Sequence, residues 1–564
     1  MLSNLTVTRS SSVRLSLLAG AVITALIMLW AHSLADWHVD YDLSYIFRYL
    51  FSKYDYQAAG LALLVLLVAA LAPARLNIRS PLTWIGQHSR LIALLSVVLL
   101  CVGVKVVYHD HPLAMDEYAA FFQSQVFAAG HLAGRFPVEL MDWLIPRDFQ
   151  NHFFIVSRNT GEVVSSYLPA FSLLLTPFTW LGIPWLCNPL ISGLTVLAIH
   201  RLALHVFQDV AIAGAAVLLT IASPVFFADG ISYYSMSAHL LANTVFALLL
   251  INPTRLRALL AGVVGSIALT LHNPVPHALF AVPWVLWLAG RDNGGRLVGS
   301  LILGYLPLCL LLGLGWVRFY AQVASAGSAT VSSGGILASW QRITQAFALP
   351  SWSVVLARLI GLAKVWVWSV PLLPLLAVIG AVRWHRQPIC RLLLQSALVT
   401  IVGYLIVPVD QGHGWGYRYF HSAWMALPIL GAGALARPIS ARQASLAEED
   451  HDIGVLMLGC AMLTLVVGVG LRAYQMNEFI AQDLTHVHSQ YCLDRCVILL
   501  KAGGGPYELD LVQNDPWLRS DTIRMVSASS ELNAKMLAYE FPGMHLIYRG
   551  RDGEVWTQER ESAP

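Results

Sequence analysis

The chain has 564 residues, of which 57% are hydrophobic and only 12% are charged. Soluble domains carry about 25% charged residues, so this composition excludes a water-soluble protein and indicates one that lies in a membrane. Thirty-five Lys and Arg against 32 Asp and Glu leave a net charge of +3, which provides no surplus charge for binding nucleic acid.

Apolar runs long enough to cross a hydrocarbon core of about 30 Å recur along the whole sequence. They predict an all-α polytopic membrane bundle of about 13 transmembrane helices. Four prolines between 166 and 204 interrupt the helical pattern, which indicates a partial or re-entrant span there. The candidate spans are 15–35, 57–74, 91–108, 166–183, 187–204, 210–228, 237–251, 257–271, 276–290, 297–316, 353–381, 392–408, 419–436 and 453–472.

Short-loop arginines predict the orientation, because positively charged loops stay in the cytoplasm. Arg75 with Arg90, and Arg255 with Arg257, are examples of such loop pairs. With these loops inside, the connection 109–165 and the tail from 473 face the extracytoplasmic side.

The tail, 473–564, regains charged residues and predicts a small C-terminal α/β domain. Cys492 and Cys496 form a disulfide or stay as two free thiols, and the sequence leaves both alternatives open. The chain thus divides into an N-terminal extra pair of spans (1–89), a transmembrane core (90–472) and the tail. The predicted elements of the tail are strands at Cys496–Leu500, Thr522–Val526, His545–Tyr548 and Glu554–Thr557, and a helix from Ser529 to Ala538.

Polar residues collect at the span ends that face outward. Such side chains are costly against lipid, so we expect them to line a cavity that opens to the outside. They are Asp116, Glu117, Asp229, His239, His272, Asn273, His277, Asp410, His413, Arg418 and His421.

Asp116 and Glu117 begin a segment with helical spacing of apolar residues. An acid at a helix start caps or stabilises it by about 1 kcal/mol, which is the more common role. The alternative is a general base that deprotonates an acceptor hydroxyl. The two residues can divide these roles between them.

Three cations are candidates for binding a lipid-carrier phosphate. Arg418 follows a glycine-rich loop and offers a planar guanidinium beside Tyr417, although interfacial anchoring by the loop aromatics is an equal alternative. Lys364 and Arg358 lie in or near an apolar span, where snorkelling to head groups competes with phosphate binding.

The histidines and short acidic triplets give less specific signals. His272, Asn273, His277, Tyr417 and His421 are candidates for lining a substrate cavity, and hydrogen-bonded helix ends are the more common role of such histidines. A divalent metal is possible at 109–111 (His-Asp-His) or 40–42 (Asp-Tyr-Asp), but triplets this short also occur as solvated loop charge, so metal dependence stays open.

Four short motifs together resemble the GT-C glycosyltransferases. They are Asp116-Glu117-Tyr118, Tyr167-Leu168-Pro169, the 232–243 run SYYSMSAHLLAN, and Gly416-Tyr417-Arg418-Tyr419. The layout from about 90 to 560 is similar to bacterial members of the dolichyl-phosphate-mannose protein mannosyltransferase type, namely family 39 and the aminoarabinose transferases.

The resemblance implies a multi-pass enzyme of the bacterial cytoplasmic (inner) membrane. Such an enzyme transfers a sugar from a polyprenyl-phosphate-linked donor to an acceptor glycan, lipid or protein on the extracytoplasmic side. The match places Asp116 at the family's catalytic acid, with Glu117 as its neighbour, and Arg418 at a phosphate contact. The sequence departs from the family pattern at His272-Asn273-Pro274, where an Arg-Pro pair is expected, so the identity of the sugar stays open.

Two other classes of protein fit the same distribution of polar residues. A membrane transporter or flippase for an envelope glycolipid or polysaccharide precursor would use these residues as a substrate path, although no internal repeat supports it. A noncatalytic partner in polysaccharide export is the other. Only the enzyme needs the Asp116 carboxylate.

Overall fold

The structure is a computed structural model that describes residues 11–34, 45–71, 76–325, 350–407, 411, 414–435, 444–487, 489–492, 495–502 and 507–558. It is predominantly helical, with a small content of sheet. The helices of the first half are α1 (Ser11–Ser33), α2 (Tyr45–Leu50), α3 (Tyr56–Ala70), α4 (Arg79–Gln87), α5 (Ser89–Val106), α6 (Met115–Ala128), α7 (Met141–Leu144), α8 (Ala170–Trp180), α9 (Cys187–Phe207), α10 (Val210–Ile221), α11 (Pro224–Ile231), α12 (Met236–Leu250) and α13 (Arg255–Thr270).

The second half continues the bundle and ends in a sheet. Its helices are α14 (Val275–Ala289), α15 (Gly294–Leu308), α16 (Trp316–Ser325), α17 (Trp352–Val367), α18 (Leu373–Arg383), α19 (Pro388–Ile406), α20 (Arg418–His421), α21 (Ala426–Gly433), α22 (Ala444–Leu463), α23 (Val469–Thr485) and α24 (Ser530–Glu540). Single π-helical turns at Phe51–Asp55, Cys309–Gly315 and Thr464–Gly468 join consecutive helices without a break.

Seven helices within the described residues are long and apolar enough to cross a membrane, or eight if the bent pair α10 and α11 is one span. Four more apolar helices, α8, α12, α14 and α18, are shorter than a full span. The polytopic helical architecture agrees with the sequence, while the number of thirteen crossings stays a prediction. The seven are Val13–Ser33, Ile46–Ala70, Ser89–Val106, Pro184–Phe207, Gly294–Ser325, Pro388–Leu405 and Glu449–Thr485.

Several predicted spans differ from the observed helices, including 419–436, where the turn 422–425 separates α20 from α21. The single span 353–381 is wrong: Pro371 cannot continue a helix, and the chain breaks between α17 and α18, where Leu372 has a φ of 72°. Pro224 likewise bends 210–228 by 61° into two helices. The span predicted to end at 472 continues to Thr485 because Met476, Phe479 and Ile480 remain buried, so the predicted start of the tail at 473 lies inside α23.

Small residues allow the helices α13 and α15 to pack backbone to backbone. A Cβ added at Gly262 would lie 2.1 Å from the carbonyl oxygen of Leu301, and one at Gly304 would lie 2.1 Å from that of Leu259. Any larger residue at either position would force the helices apart. This is the contact that apolar helices use in lipid, where close packing replaces the hydrophobic effect.

Two sheets lie outside the helical bundle. Strands β1 (Gly134–Arg135), β2 (Phe154–Val156) and β3 (Glu162–Ser165) form an antiparallel sheet in the order β1-β3-β2. Strands β4 (Cys496–Leu500), β5 (Thr522–Val526), β6 (Met544–Arg549) and β7 (Gly553–Gln558) form the C-terminal sheet in the order β5-β4-β7-β6, with only β4 and β5 parallel. The tail strands and α24 confirm the elements predicted there.

Strand β4 is buried on both faces of the C-terminal sheet. Val497 and Leu499 pack with α24 and with the 115–163 region, while Ile498 and Leu500 face a second apolar cluster. The run CVILL is continuously apolar for this reason. Cys492 and Cys496 form a disulfide, with Cα atoms 5.8 Å apart.

A buried ion cluster connects the N-terminal helices to later helices of the bundle. Asp55, in the π-helical turn before α3, lies 2.7 Å from Lys364 Nζ and 2.6 Å from Arg472 Nη2. The indole N–H of Trp368 donates a third contact to the same carboxylate at 2.7 Å. All three ionic side chains are almost completely buried. The predicted extra pair of spans therefore supplies the anion that is shared by two cations of the bundle.

Replacing Asp55 tests this cluster. Asp55→Ala leaves two buried cations without their anion, and breaking a buried ion pair costs about 3–5 kcal/mol. We expect a clearly lower Tm for the purified protein in detergent. Lys535→Ala is the control, because its pair with Glu531 is 71% exposed and such pairs contribute about 0.3–0.5 kcal/mol. Equal melting of the two variants would contradict the role of the cluster.

Candidate active site

Asp116 lies at the second position of α6 and meets a residue distant in sequence. Arg418 Nη1 donates to Asp116 Oδ2 at 2.9 Å, and the Tyr167 hydroxyl donates to the other carboxylate oxygen. The Asp116 side chain is 13% exposed and that of Arg418 is 6% exposed. The structure thus brings together the predicted base and the predicted phosphate ligand at a site open on one side.

Arg418 is oriented by its own loop. Its backbone N–H donates to the side-chain oxygen of Gln411 at 2.8 Å, and a second guanidinium nitrogen donates to the Gln411 carbonyl. The guanidinium carbon lies 4.4 Å from the centre of the Tyr234 ring. These contacts fix a planar cation that cannot lose its charge, so Arg418 is a permanent partner for an anion.

His272 forms the opposite wall, together with Tyr167. The two rings pack against each other with centroids 3.9 Å apart and planes tilted by 37°, and the N–H of Leu168 donates to the His272 carbonyl at 3.2 Å. Burial lowers the pKa of His272 to about 4; nearby Asp116 opposes that shift, and Arg418 adds to it. His272 is therefore neutral at physiological pH and acts as a hydrogen-bonding wall rather than as a cation.

Glu117 faces the interior instead of the cleft. Its Oε2 accepts the backbone N–H groups of Leu113 and Ala114 at 2.9 and 3.2 Å, and its Oε1 accepts the N–H of Tyr233 and the Tyr108 hydroxyl at 2.7 and 2.9 Å. Complete burial raises the pKa of Glu117 to about 7, and these hydrogen bonds limit the rise. Glu117 is thus the acid that caps the helix, and Asp116 is the acid that faces the cleft.

The cleft beside Asp116 encloses about 280 Å³ of space outside the protein atoms. Two of its groups, the Tyr234 hydroxyl and Ser235 Oγ, are buried without a hydrogen-bond partner among the described residues. Both residues belong to the 232–243 run SYYSMSAHLLAN, whose pattern predicted no separate role for either of them. The lining residues are Asp116, Ala120, Tyr167, Leu168, Phe171, Ser172, Tyr234, Ser235, Met236, Leu271 and His272.

Of the residues predicted to line a cavity, Asp116 and His272 belong to this lining, whereas Glu117, Asp229, His239 and Arg418 do not, and four more also lie outside it. His277 contacts Asn243 Oδ1 and the Tyr305 hydroxyl, each at 2.6 Å. Asn273 accepts the N–H of Val275 at 3.1 Å and so caps α14. The other two are His421, whose Nδ1 lies 2.8 Å from Asp229 Oδ2, and Tyr417, whose ring packs against Gly361.

The two remaining predicted phosphate ligands are engaged elsewhere. Lys364 belongs to the Asp55 cluster, so a phosphate would reach it only if that cluster opened. Arg358 donates to the carbonyls of Tyr404 and Val407 at 2.9 Å each and stacks over Tyr419. Neither residue lines the cleft, and their contact with phosphate stays a prediction.

The described residues contain no group of three or more His, Cys, Asp or Glu side chains that could hold a metal ion. In the predicted triplet 109–111, Asp110 pairs with Lys105 and accepts the Tyr233 hydroxyl, while His109 contacts Asn477. The triplet at 40–42, together with Asp410 and His413, lies outside the described residues.

No family model matches this sequence, and no curated protein matches it significantly. Among solved structures, the chain is similar to ArnT from Cupriavidus metallidurans bound to undecaprenyl phosphate, with a TM-score of 0.52 and 12% identity over 84% of this chain and 98% of that one. The apo state of the same protein gives a TM-score of 0.48, with 12% identity over 83% and 97%. The first likeness shows that the chain shares the overall fold of this ArnT structure, which agrees with the resemblance seen in the motifs.

The capping role of Glu117 is open to a stability test. Glu117→Gln turns an amide NH₂ towards backbone N–H donors, and each buried donor left unsatisfied costs about 1–3 kcal/mol. We expect thermal unfolding at a clearly lower temperature. Glu531→Gln is the matched control, because that side chain is 78% exposed and should melt like the unmodified protein. A fully stable Glu117→Gln protein would show that the carboxylate does not hold the helix start.

Proposed function

We propose that the chain is an integral membrane glycosyltransferase that transfers a sugar from a polyprenyl-phosphate-linked donor, with Asp116 as general base. The observation that carries this proposal is the pair Asp116–Arg418 at the edge of a partly buried cleft. The similar ArnT structure contains undecaprenyl phosphate, which supports a donor of this chemical class.

The pair supplies both groups that an inverting displacement needs. The acceptor hydroxyl attacks the anomeric carbon and gives its proton to Asp116, while the bond between that carbon and the phosphate oxygen breaks. Arg418 then neutralises the departing polyprenyl phosphate through charge-assisted hydrogen bonds. No further co-reactant is required. The acceptor oxygen provides the electron pair of the new bond, and the polyprenyl phosphate leaves with the electron pair of the broken one.

Donor binding would also activate the base. In the described structure the Asp116 carboxylate is held by Arg418 and Tyr167. An incoming phosphate competes for the same guanidinium, so its arrival releases one carboxylate oxygen to accept a proton. The buried hydroxyls of Tyr234 and Ser235 are the groups we assign to the sugar, since a buried polar group without a partner is unfavourable until a ligand satisfies it.

The contacts of the tail, together with the short-loop arginines, support a cleft on the extracytoplasmic side of the membrane. The C-terminal segment contacts the start of α6 and the loop before Arg418, so the cleft and the tail lie at one end of the bundle. The arginine-rich short loops assign that end to the extracytoplasmic side. Nucleotide sugars are made in the cytoplasm. A site on the extracytoplasmic side therefore needs a sugar that a lipid carries across the membrane. The acceptor, whether glycan, lipid or protein, is not specified by the cleft.

Loss of the Asp116 carboxylate should stop sugar transfer but preserve binding of the lipid carrier. Asp116→Asn is expected to lower turnover by at least about 10²-fold, the contribution of a positioned general base. Binding of undecaprenyl phosphate should persist, because Arg418 is then no longer shared. The polyprenyl-phosphate sugar that accumulates in a deletion strain identifies the donor for this assay. Full transfer activity in Asp116→Asn would contradict this mechanism. A deletion strain that accumulates no polyprenyl-phosphate sugar would also contradict it.

Arg418 should govern affinity for the carrier. Losing a charge-assisted contact of about 1.5–3 kcal/mol weakens binding roughly 10- to 100-fold. We therefore expect Arg418→Ala to raise the Kd for undecaprenyl phosphate by that factor, measured by titration in detergent. Arg147→Ala, which removes a guanidinium that is 78% exposed, is the control and should bind normally. Equal affinities would show that the phosphate lies elsewhere.

A further inference from the structure

We propose that the 507–514 segment of the tail is a positioning clamp, which holds Asp116 and Arg418 in register by binding the start of α6 and the loop before Arg418. Its effect on catalysis rests on the proposed function, whereas its contacts do not. Asp510 and Tyr507 are the two positioning residues, and neither lines the cleft.

Asp510 binds the residue directly before the proposed base. The backbone N–H of Met115 donates to Asp510 Oδ1 at 2.6 Å, and the two residues are 395 positions apart in sequence. The first N–H groups of a helix have no partner within it. Glu117 accepts those of Leu113 and Ala114, and Asp510 accepts the next one. The direction of the first turn of α6 therefore depends on a side chain from the tail.

Two neighbouring contacts hold the same turn from either side. Gln513 Nε2 donates to the carbonyl of Pro112 at 2.7 Å, which fixes the chain just before α6. The N–H of Asn514 donates to the Tyr118 hydroxyl at 2.7 Å, and that hydroxyl donates in turn to the Asn514 carbonyl. Residues 112–118 are thus bound to the tail on both sides of Asp116.

Tyr507 connects the same segment to the other half of the site. Its hydroxyl accepts the backbone N–H of Gly414 at 3.1 Å. Gly414 has a φ of 96°, a conformation that other residues rarely adopt, and it lies four residues before Arg418. The Tyr507 side chain is completely buried. One eight-residue segment therefore contacts both the helix that carries Asp116 and the loop that carries Arg418.

The environment of Asp510 is unfavourable for an ordinary structural carboxylate. Burial raises the pKa of Asp510 well above its usual value, and the nearby acids Asp483, Asp116 and Glu117 raise it further, against the lowering effect of the Met115 N–H. Accepting that N–H needs an oxygen and not a charge. Asparagine keeps the oxygen, so Asp510→Asn should preserve the clamp while Asp510→Ala removes it.

Hydrogen exchange of the 113–118 amides tests the clamp without any substrate. In Asp510→Ala these amides should exchange at least about tenfold faster, whereas Asp510→Asn should match the unmodified protein. Asn533→Ala is the matched control: it removes a buried tail residue that binds Ser527 and Glu554 but does not contact α6. The Asn533→Ala variant should leave hydrogen exchange of the 113–118 amides unchanged.

Activity provides the second readout. Small displacements of a reacting group cost up to about 10²-fold in rate, so Asp510→Ala should lower kcat about 10- to 100-fold with the donor KM within about twofold. Asp510→Asn should restore kcat. Unchanged exchange in Asp510→Ala, or equally faster exchange in Asn533→Ala, would overturn the clamp, and either result is informative even if no transferase activity exists.

A milder variant covers the case in which Asp510→Ala does not fold. Tyr507→Phe removes one hydroxyl and keeps the ring, so the fold is retained. Exchange of the Gly414 amide should then rise by about tenfold or more, because that amide donates to the Tyr507 hydroxyl. An unchanged Gly414 amide in Tyr507→Phe would refute the link between the tail and the Arg418 loop.

Discussion

The structure depends on the pairing of charges that a largely apolar protein has buried. An isolated ion in such surroundings is strongly unfavourable, and it is tolerated only with a counter-ion or hydrogen-bond donors. Asp55 meets Lys364 and Arg472, and Asp116 meets Arg418. These pairs join segments far apart in sequence, so electrostatic pairing determines which helices meet.

The two ion clusters differ in what they can do. The Asp55 cluster is sealed, and a third donor, Trp368, completes it. Asp116, which is paired with Arg418, lines a cleft together with Tyr234 and Ser235, whose buried hydroxyls have no hydrogen-bond partner among the described residues. A closed cluster stabilises the fold, whereas a pair at an open edge can exchange one partner for a ligand. This difference is the physical reason for assigning reactivity to Asp116 and a structural role to Asp55.

The sequence predicted those parts of the molecule that local chemistry determines. Apolar runs gave the helical bundle, the β-rich runs gave the tail strands, and the motif around Asp116 and Arg418 identified two residues that do meet. It did not predict that Pro371 would divide a span, or that α23 would extend to Thr485. Nor could it show that Lys364 is paired with Asp55, since the two lie 309 residues apart. Long-range pairing has no local signal, and the contact between Asp510 and Met115 was missed for the same reason.

The most direct measurement of the central claim is an experimental structure of the protein with undecaprenyl phosphate bound. Our account requires the phosphate within hydrogen-bond distance of the Arg418 guanidinium, with at least one Asp116 oxygen released from that guanidinium and facing the cleft. A phosphate bound at another group, with the Asp116–Arg418 contact intact, would contradict it.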